Sequence, residues 1–429
     1  MRLSPTVLKK IFLFFIFLLL LVIIGFFAAA FLISQKEEKP FGEALHDVAP
    51  FGEIIDDIVT GARPSLPSGE GLGGGAGTPG AATPGAIPRL YKISVEPVAG
   101  ATTFLRDGTE LVRYLPLDSG NVYEYGATTT VRSRVSHTSA PGLKEVLWGE
   151  GGAIILARFL SAETDDLRTY HARVFPVNPD AAPGEAVGEL YGQFLDDDIR
   201  DIAVSPDAKQ FFYFLPSDEV STGVLANFAE TDKKTAVKTL LFPSADWRPV
   251  WPEKNTLVLT TRPSASAEGF SYAFTIATGG LKKLVGGVFG LVTLPSRDLS
   301  SLLYSRGGKD RADLFVLDTK TAVAKTLPVG TLAEKCVWSE KQRNTVYCAV
   351  PELIPRGEYP DDWYQGTVSF SDALWVINTE TLVPKRLSLP RTEVGETVDA
   401  INLLLSKDGS FLFFINKNDS SLWSLQVSI

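Results

Sequence analysis

The sequence predicts an all-β, seven-bladed propeller, and three observations predict it. First, a tight polar turn followed by a dense apolar strand recurs along the chain. Ser205-Pro206-Asp207 leads to Tyr213, Ser296-Arg297-Asp298 to Tyr304, and Ser406-Lys407-Asp408-Gly409 to Phe414, each aromatic lying eight residues after its serine. Weaker copies run from Ser339 to Tyr347, Trp251 to Leu259 and Trp148 to Leu156, and a first copy, Leu105-Arg106-Asp107-Gly108, leads into Leu111-Val112-Arg113-Tyr114. Second, the anchors at 105, 148, 205, 251, 296, 339 and 406 are spaced by 43, 57, 46, 45, 43 and 67 residues. A period in the forties with short strands marks four-stranded blades around an axis. One blade cannot bury both its faces, so neighbours cover them and the ring closes. Third, the strand Leu90–Ser94 precedes every anchor, while the last repeat supplies only Ala400–Leu405, Phe411–Ile415 and Ser421–Val427. Residues 90–94 are therefore expected as the outer strand of blade seven, a closure that leaves no open sheet edge. Blades one and two carry the faintest repeats, so six or eight blades are the alternative counts.

The Ser-Pro-Asp-x-Lys turn with its aromatic strand resembles the WD-repeat-like, TolB-like propellers of bacterial envelope proteins. The resemblance covers roughly residues 89–429 and is sharp at 205, 296 and 406. It implies a fold and a compartment more than an activity, because propellers host many functions.

The chain is long enough for a large core, and 45% hydrophobic with 10% aromatic residues is a globular composition. Residues 1–40 hold five Lys/Arg against two Glu, a charge of +3, so a chain of −9 leaves −12 for the remainder. An acidic body without a basic stripe argues against nucleic acid as a partner, since phosphate binding needs clustered Lys and Arg. Two cysteines are too few for a disulfide framework or a Cys-rich zinc site.

Residues 1–10 read as a cytoplasmic N-terminus and 11–33 as a transmembrane signal anchor inserted in the lipid bilayer. Ile11 to Ile33 carries no charge, and 23 residues at ~1.5 Å each span roughly 34 Å, enough for a hydrocarbon core of about 30 Å. Arg2, Lys9 and Lys10 precede it, while Lys36, Glu37, Glu38 and Lys39 cancel after it. The positive-inside rule then places everything after residue 34 outside the cytoplasm. A cleaved signal peptide ending at Ala28-Ala29-Ala30 is the alternative, and it exports the same body.

Residues 34–60 form a juxtamembrane segment. Phe51, Ile54, Ile55, Ile58 and Val59 fall on one helical stripe after Pro50. Such a helix rests on the bilayer or propeller, or pairs with a partner's membrane-proximal part. Residues 61–88 are Gly, Pro, Ala, Ser and Thr almost throughout and read as a flexible tether. Gly71-Leu72-Gly73-Gly74-Gly75 lacks the Lys-Ser/Thr of a phosphate loop.

Within the propeller, 89–429, the aspartates Asp107, Asp207, Asp298 and Asp408 are expected to shape the repeat turns rather than act in catalysis. Asp318-Thr319-Lys320-Thr321 and Asn378-Thr379-Glu380-Thr381 have the side chains of tight Asx turns. Trp148, Trp251 and Trp338 fall on innermost strands, and Trp375 and Trp423 on third strands.

Two constellations are candidates for function. Cys336 and Cys348 flank the hairpin of blade six. If they lie opposite each other, their Cβ atoms come within ~4.5–5.5 Å, near enough for a disulfide in an exported protein. Two reduced, buried cysteines are the alternative. Blade six also carries the longest insertion, Pro351 to Ser371, with Tyr359, Asp361, Asp362, Trp363 and Tyr364. Loop aromatics make binding anchors, and paired aspartates beside them suit cationic groups, sugars or calcium. The alternative is a loop folded over the propeller's own face, with Trp363 plugging the ring. Asp165-Asp166 and Asp196-Asp197-Asp198 have no spaced ligand pattern around them, and His46, His137 and His171 fall in separate parts of the chain. No cofactor or metal is indicated.

Catalytic motifs are sparse. There is no Gly-x-Ser-x-Gly elbow. The nearest approach to a sialidase box reads Ser406-Lys407-Asp408-Gly409-Ser410-Phe411, without the Thr-Trp ending. A glycosidase needs two carboxylates converging in the channel, which sequence does not display. The reading is a membrane-anchored, extracytoplasmic, non-catalytic scaffold that binds a protein or peptide in the cell envelope. The alternative is a channel-sited hydrolase or lyase for glycan or lactone-type substrates. Carboxylates of raised pKa at the channel mouth would favour the enzyme, and an apolar or aromatic patch on one face would favour docking.

Overall fold

Seven antiparallel blade sheets form the ring, six of four strands and one of five, each presenting its first blade strand to the axis. The computed structural model describes residues 39–40 and 88–427, except 139, 141, 162–166, 176–187, 197–198, 216–219, 230–235 and 244–245. The segments read as anchor, juxtamembrane helix and tether lie outside the described residues apart from 39–40 and 88, as do Asp165, Asp166, Asp197 and Asp198. Among the described residues no helix is long and apolar enough to cross a membrane. The propeller lies within one compact unit.

Blade one holds Val98–Arg106, Thr109–Pro116, Tyr123–Gly126 and Arg132–Arg134. Blade two holds Leu143–Trp148, Ile154–Leu160, Leu167–Phe175 and Glu189–Phe194. Blade three holds Ile202–Val204, Gln210–Leu215, Val220–Asn227 and Ala236–Pro243. Blade four holds Trp247–Glu253, Thr256–Thr261, Glu268–Thr275 and Leu281–Phe289. Blade five holds Val292–Pro295, Ser301–Arg306, Asp313–Asp318 and Ala324–Gly330. Blade six holds Cys336–Trp338, Thr345–Pro351, Asp372–Asn378 and Val383–Ser388. Blade seven holds Ala400–Leu405, Phe411–Asn416 and Leu422–Gln426, and its fourth strand is Leu90–Ser94.

That fourth strand closes the ring. Leu90 pairs with Leu425 and Lys92 with Trp423, antiparallel. Arg89 adds hydrogen bonds to the carbonyls of Gln426, at 3.0 Å, and Leu387, at 2.9 Å. Leu90 itself is buried.

The repeat turns explain their own residues. Ser205 Oγ donates to Asp207 Oδ1 at 2.7 Å and accepts the Gln210 N–H at 2.9 Å, while Asp207 Oδ1 accepts the Lys209 N–H at 3.2 Å. The same triangle recurs at Ser296–Asp298 and Ser406–Asp408. Serine ties the turn's two ends, and aspartate holds its crest. The residue after each aspartate has positive φ, at 54° for Ala208, 53° for Leu299 and 78° for Gly409. Asp107 acts differently. With φ of 50° at Asp107 and 75° at Gly108, and Arg106 paired to Thr109, it makes a two-residue hairpin turn of type I′.

The core lies in the seams between blades. Six apolar clusters each draw side chains from two neighbouring blades. Ala203, Phe212 and Phe214 of blade three meet Trp251, Leu257 and Phe274 of blade four, for example. The second strands are largely buried, and Phe411–Asn416 is buried throughout. Between blades four and five the contact is partly polar, with Thr260 Oγ1 2.6 Å from Thr293 Oγ1 and 3.0 Å from Ser271 Oγ.

Candidate functional site

The ring has two faces. Turns between first and second strands lie on one, here the turn face. Loops between second and third strands, and the approaches to each first strand, lie on the other. The blade-six insertion belongs to this second face, between Pro351 and Asp372.

The insertion is strapped down along its length. Gly308–Lys309 of blade five pairs with its Glu358–Tyr359. Gly357 N–H donates to Asp310 Oδ1 at 2.8 Å. Asp361 accepts the Ala265 N–H from blade four, and Asp362 accepts the Glu358 N–H at 2.7 Å. A four-residue helix, Asp361–Tyr364, follows. Tyr359 is fully buried, its ring 5.5 Å from Phe370 and its hydroxyl donating to Pro355 O at 2.8 Å. Burial pushes its phenol up to about 12. Trp363 is 4% exposed and stacks on Phe370. Its indole N–H donates to Asp399 Oδ2 at 2.9 Å.

Thus the five insertion residues come together, but Tyr359, Asp361, Asp362 and Trp363 spend their side chains on the insertion and its neighbours. Tyr364 is the one whose ring reaches an outer surface, at 39% exposed. Its hydroxyl donates to Glu334 and accepts from Arg248 Nη1 at 2.8 Å. Burial, then the Glu334 charge, raises its pKa. Cys336 and Cys348 stand opposite each other in register, and their sulfurs are bonded at 2.11 Å. That bond ties blade six's first strand to its second.

Beside Tyr364 opens a cavity of about 280 Å³ at the channel mouth, lined by Glu145, Arg158, Asp201, Arg248, Thr260 and Glu334 among others. Its carboxylates are matched with arginines. Arg158 bonds Glu145 at 2.8 Å and Arg248 bonds Glu334 at 3.1 Å. Arg262 bonds Asp201 at 2.9 Å. Burial still raises the Asp201 carboxyl, against the pull of Arg262, Arg248 and Arg158.

A larger cavity, about 740 Å³, opens on the turn face among blades three to six. Its lining includes Trp251, Trp338, Val250, Val337, Pro252 and Pro295, with Arg297, Glu340, Lys341 and Arg343 also along it. Trp338 is half-buried and its indole N–H donates to Leu294 O at 3.1 Å. Arg297 bonds Glu340 and donates to Pro206 O at 3.0 Å, which ties three turns together. Lys341 and Arg343 are exposed.

Sequence reasoning missed a buried cluster behind the insertion. Lys335, Asp372 and Asp399 are all fully or almost fully buried. Lys335 Nζ is 2.8 Å from Asp372 Oδ2 and also contacts Asp399 Oδ1. The one signal was a lysine immediately before an apolar innermost strand. Among the described residues no group of three or more His, Cys, Asp or Glu is placed to hold a metal ion.

The chain matches no family model and none of the curated proteins compared. Several solved structures are similar to it. An oligogalacturonate lyase from Vibrio parahaemolyticus is 8% identical, with a TM-score of 0.47 over 79% of this chain and 93% of that one. The β-propeller domain of the Trilobed protease from Pyrococcus furiosus is 11% identical, at 0.46 over 76% and 96%. TolB from Acinetobacter baumannii is 12% identical, at 0.40 over 66% and 64%.

Proposed function

We propose that the protein is a membrane-anchored, extracytoplasmic propeller that docks a protein or peptide, without catalysis, in the turn-face cavity. The observation that carries this reading is the cavity's lining. Trp251, Trp338 and prolines give it an apolar, aromatic floor, and Lys341 and Arg343 stand exposed on its edge. Aromatic floors with charged rims are typical of docking hot spots. The basic edge on an acidic body favours an extended partner segment carrying Asp or Glu. The docking role moves from the insertion, whose Tyr359 and Trp363 pack inward, to the opposite face.

Site-specific photo-crosslinking in intact cells tests it. A crosslinker at position 341 is expected to capture a discrete partner, and one at position 353, on the insertion, is not. In a Lys341→Glu/Arg343→Glu variant with an unchanged unfolding midpoint, a crosslinker at 300 should lose that capture. Equal capture from both faces would sink the assignment.

One observation favours a second reading. Asp201, its carboxyl raised by burial beside three arginines, would suit an acid in a hydrolase or lyase for anionic glycan or lactone-type substrates. Turnover of such a substrate, abolished in Asp201→Asn, would establish it.

A further inference from the structure

We propose that Lys335 and Asp399 condense into an intramolecular amide that welds blade six to blade seven, with Asp372 carrying the proton. Lys335 sits in the short 3-10 turn before blade six's first strand. Asp399 immediately precedes blade seven's first strand, and Asp372 opens blade six's third. The three side chains are sealed from solvent, and Nζ touches a carboxylate oxygen of each aspartate.

The four carboxylate oxygens are already sorted for the reaction. Asp399 Oδ2 receives the Trp363 indole N–H at 2.9 Å and the Phe370 N–H at 3.0 Å, while the Ser369 hydroxyl, 3.2 Å away, has Asn418 Oδ1 nearer at 2.5 Å. Two fixed N–H donors on one oxygen are what a developing oxyanion requires, and afterwards they suit an amide carbonyl. The one contact described for Asp399 Oδ1 is Lys335, which marks it as the oxygen to leave. Asp372 Oδ2 takes the Ala400 N–H at 2.7 Å, while its buried Oδ1 has no hydrogen-bond partner among the described residues and is free to hold a proton. The rings of Trp363 and Phe370 lie 5.1 and 5.2 Å from Nζ and wall off water. Burial accordingly pushes the Asp372 carboxyl up to about 6.

Electrostatics supplies the drive. One cation and two carboxylates are enclosed where desolvated ion pairs scarcely break even. Condensation replaces the Lys335 cation and the Asp399 anion by a neutral amide, so that three enclosed charges become one, on Asp372.

The step balances without a co-reactant. Nζ passes one proton to Asp372 and attacks Asp399 Cγ, forming the C–N bond. The tetrahedral oxyanion resides on Oδ2. The Cγ–Oδ1 bond then breaks, and Oδ1 departs as water with two hydrogens that began on Nζ, one of them returned through Asp372. Nothing is oxidised or reduced, and Asp372 ends as it began.

Peptide mapping of the full-length protein, after reduction and trypsin digestion, tests the bond. The expected product is one joined species containing Lys335 and Asp399, lighter than the two separate peptides by one water and uncut after Lys335. Separate peptides at full mass, with cleavage after Lys335, would overturn the proposal. A water deficit mapping to Asp107-Gly108 or Asp408-Gly409 would also overturn it, since aspartyl-glycine sequences dehydrate on their own. In Asp372→Asn the joined species should disappear. Its persistence there would overturn the proton-carrying role of Asp372.

Discussion

Trp363 and Asp399 are joined by a 2.9 Å hydrogen bond that runs from the blade-six insertion to the threshold of blade seven. The indole is at once a lid over a buried ammonium and a donor to the carboxylate facing it. Lys417 Nζ also lies 4.6 Å from the same ring and donates to the Trp363 carbonyl at 2.6 Å. Emptying this position should therefore cost about 3–5 kcal/mol, the range for a large buried aromatic. Trp363→Ala should show that loss in urea unfolding. Tyr364→Phe, whose ring keeps its place, should cost about 1 kcal/mol, the net worth of a hydrogen bond. Equal and small effects would mean that the insertion is not seated as described.

Stability against pH should carry the mark of Asp372. With Lys335 and Asp399 unjoined, burial opposes the charge of the folded Asp372 carboxyl and pushes it up to about 6. A raised acid pKa means that the folded state holds the proton longer. The group therefore costs no stability below about pH 4, and an increasing amount as pH rises to about 6. The difference in urea midpoint between wild type and Asp372→Asn should change across that window and level off above it.

His171 should contribute with the opposite sign. It is buried against Phe211 and Phe228, bonds the Phe228 carbonyl at 3.0 Å, and burial lowers it to about 4. The unfolded chain protonates at about 6.5, so stability is lost as pH falls from there toward 4. His171→Phe should remove that loss. An identical acid profile in wild type and variant would exclude His171 as its source.

Reducing the Cys336–Cys348 bond should lower stability by about 2–3 kcal/mol, as expected for a short closed loop. The melting temperature with and without reductant measures it. Cys336→Ser/Cys348→Ser should match the reduced protein. If reductant has no effect on a chain confirmed to be reduced, the crosslink contributes nothing.

Deletion of residues 90–96 should abolish cooperative unfolding. It removes Leu90 from the blade-seven seam and exposes the full edge of Leu422–Gln426. An unchanged melting temperature would mean the ring closes some other way.

What could be read beforehand was local or periodic. The seven turns set the period, and Ser-x-Asp encodes its own hydrogen bonds within six residues. The outer strand at 90–94 followed from counting strands, and the opposition of Cys336 to Cys348 from counting around one hairpin. The insertion was different. Trp363 next to Asp361 and Asp362 has the composition of a binding loop, and equally of a plug. Only the positions of Asp399, Ala265 and Asp310 decide, and these come from three other blades. Lys335, Asp372 and Asp399 were invisible for the same reason, since closure of the ring is what brings them together. The turn-face cavity likewise arises from side chains of four blades, none distinctive alone.

The clasp of blade seven also sets the order of events on the ribosome. Arg89 and Gln426 are separated by 337 residues, so the contact that completes the ring is among the most distant in the chain. Leu90–Ser94 leaves the exit tunnel first of all the blade strands, and its partner Leu422–Gln426 leaves last. Blades two to six can assemble during synthesis, while the earliest strand waits unpaired. Closure therefore waits for the last of the blade strands and has the slow kinetics of high contact order. Until then an unpaired strand and an open edge are both exposed to other chains. The yield of folded protein should respond to whatever shields those two segments during that wait.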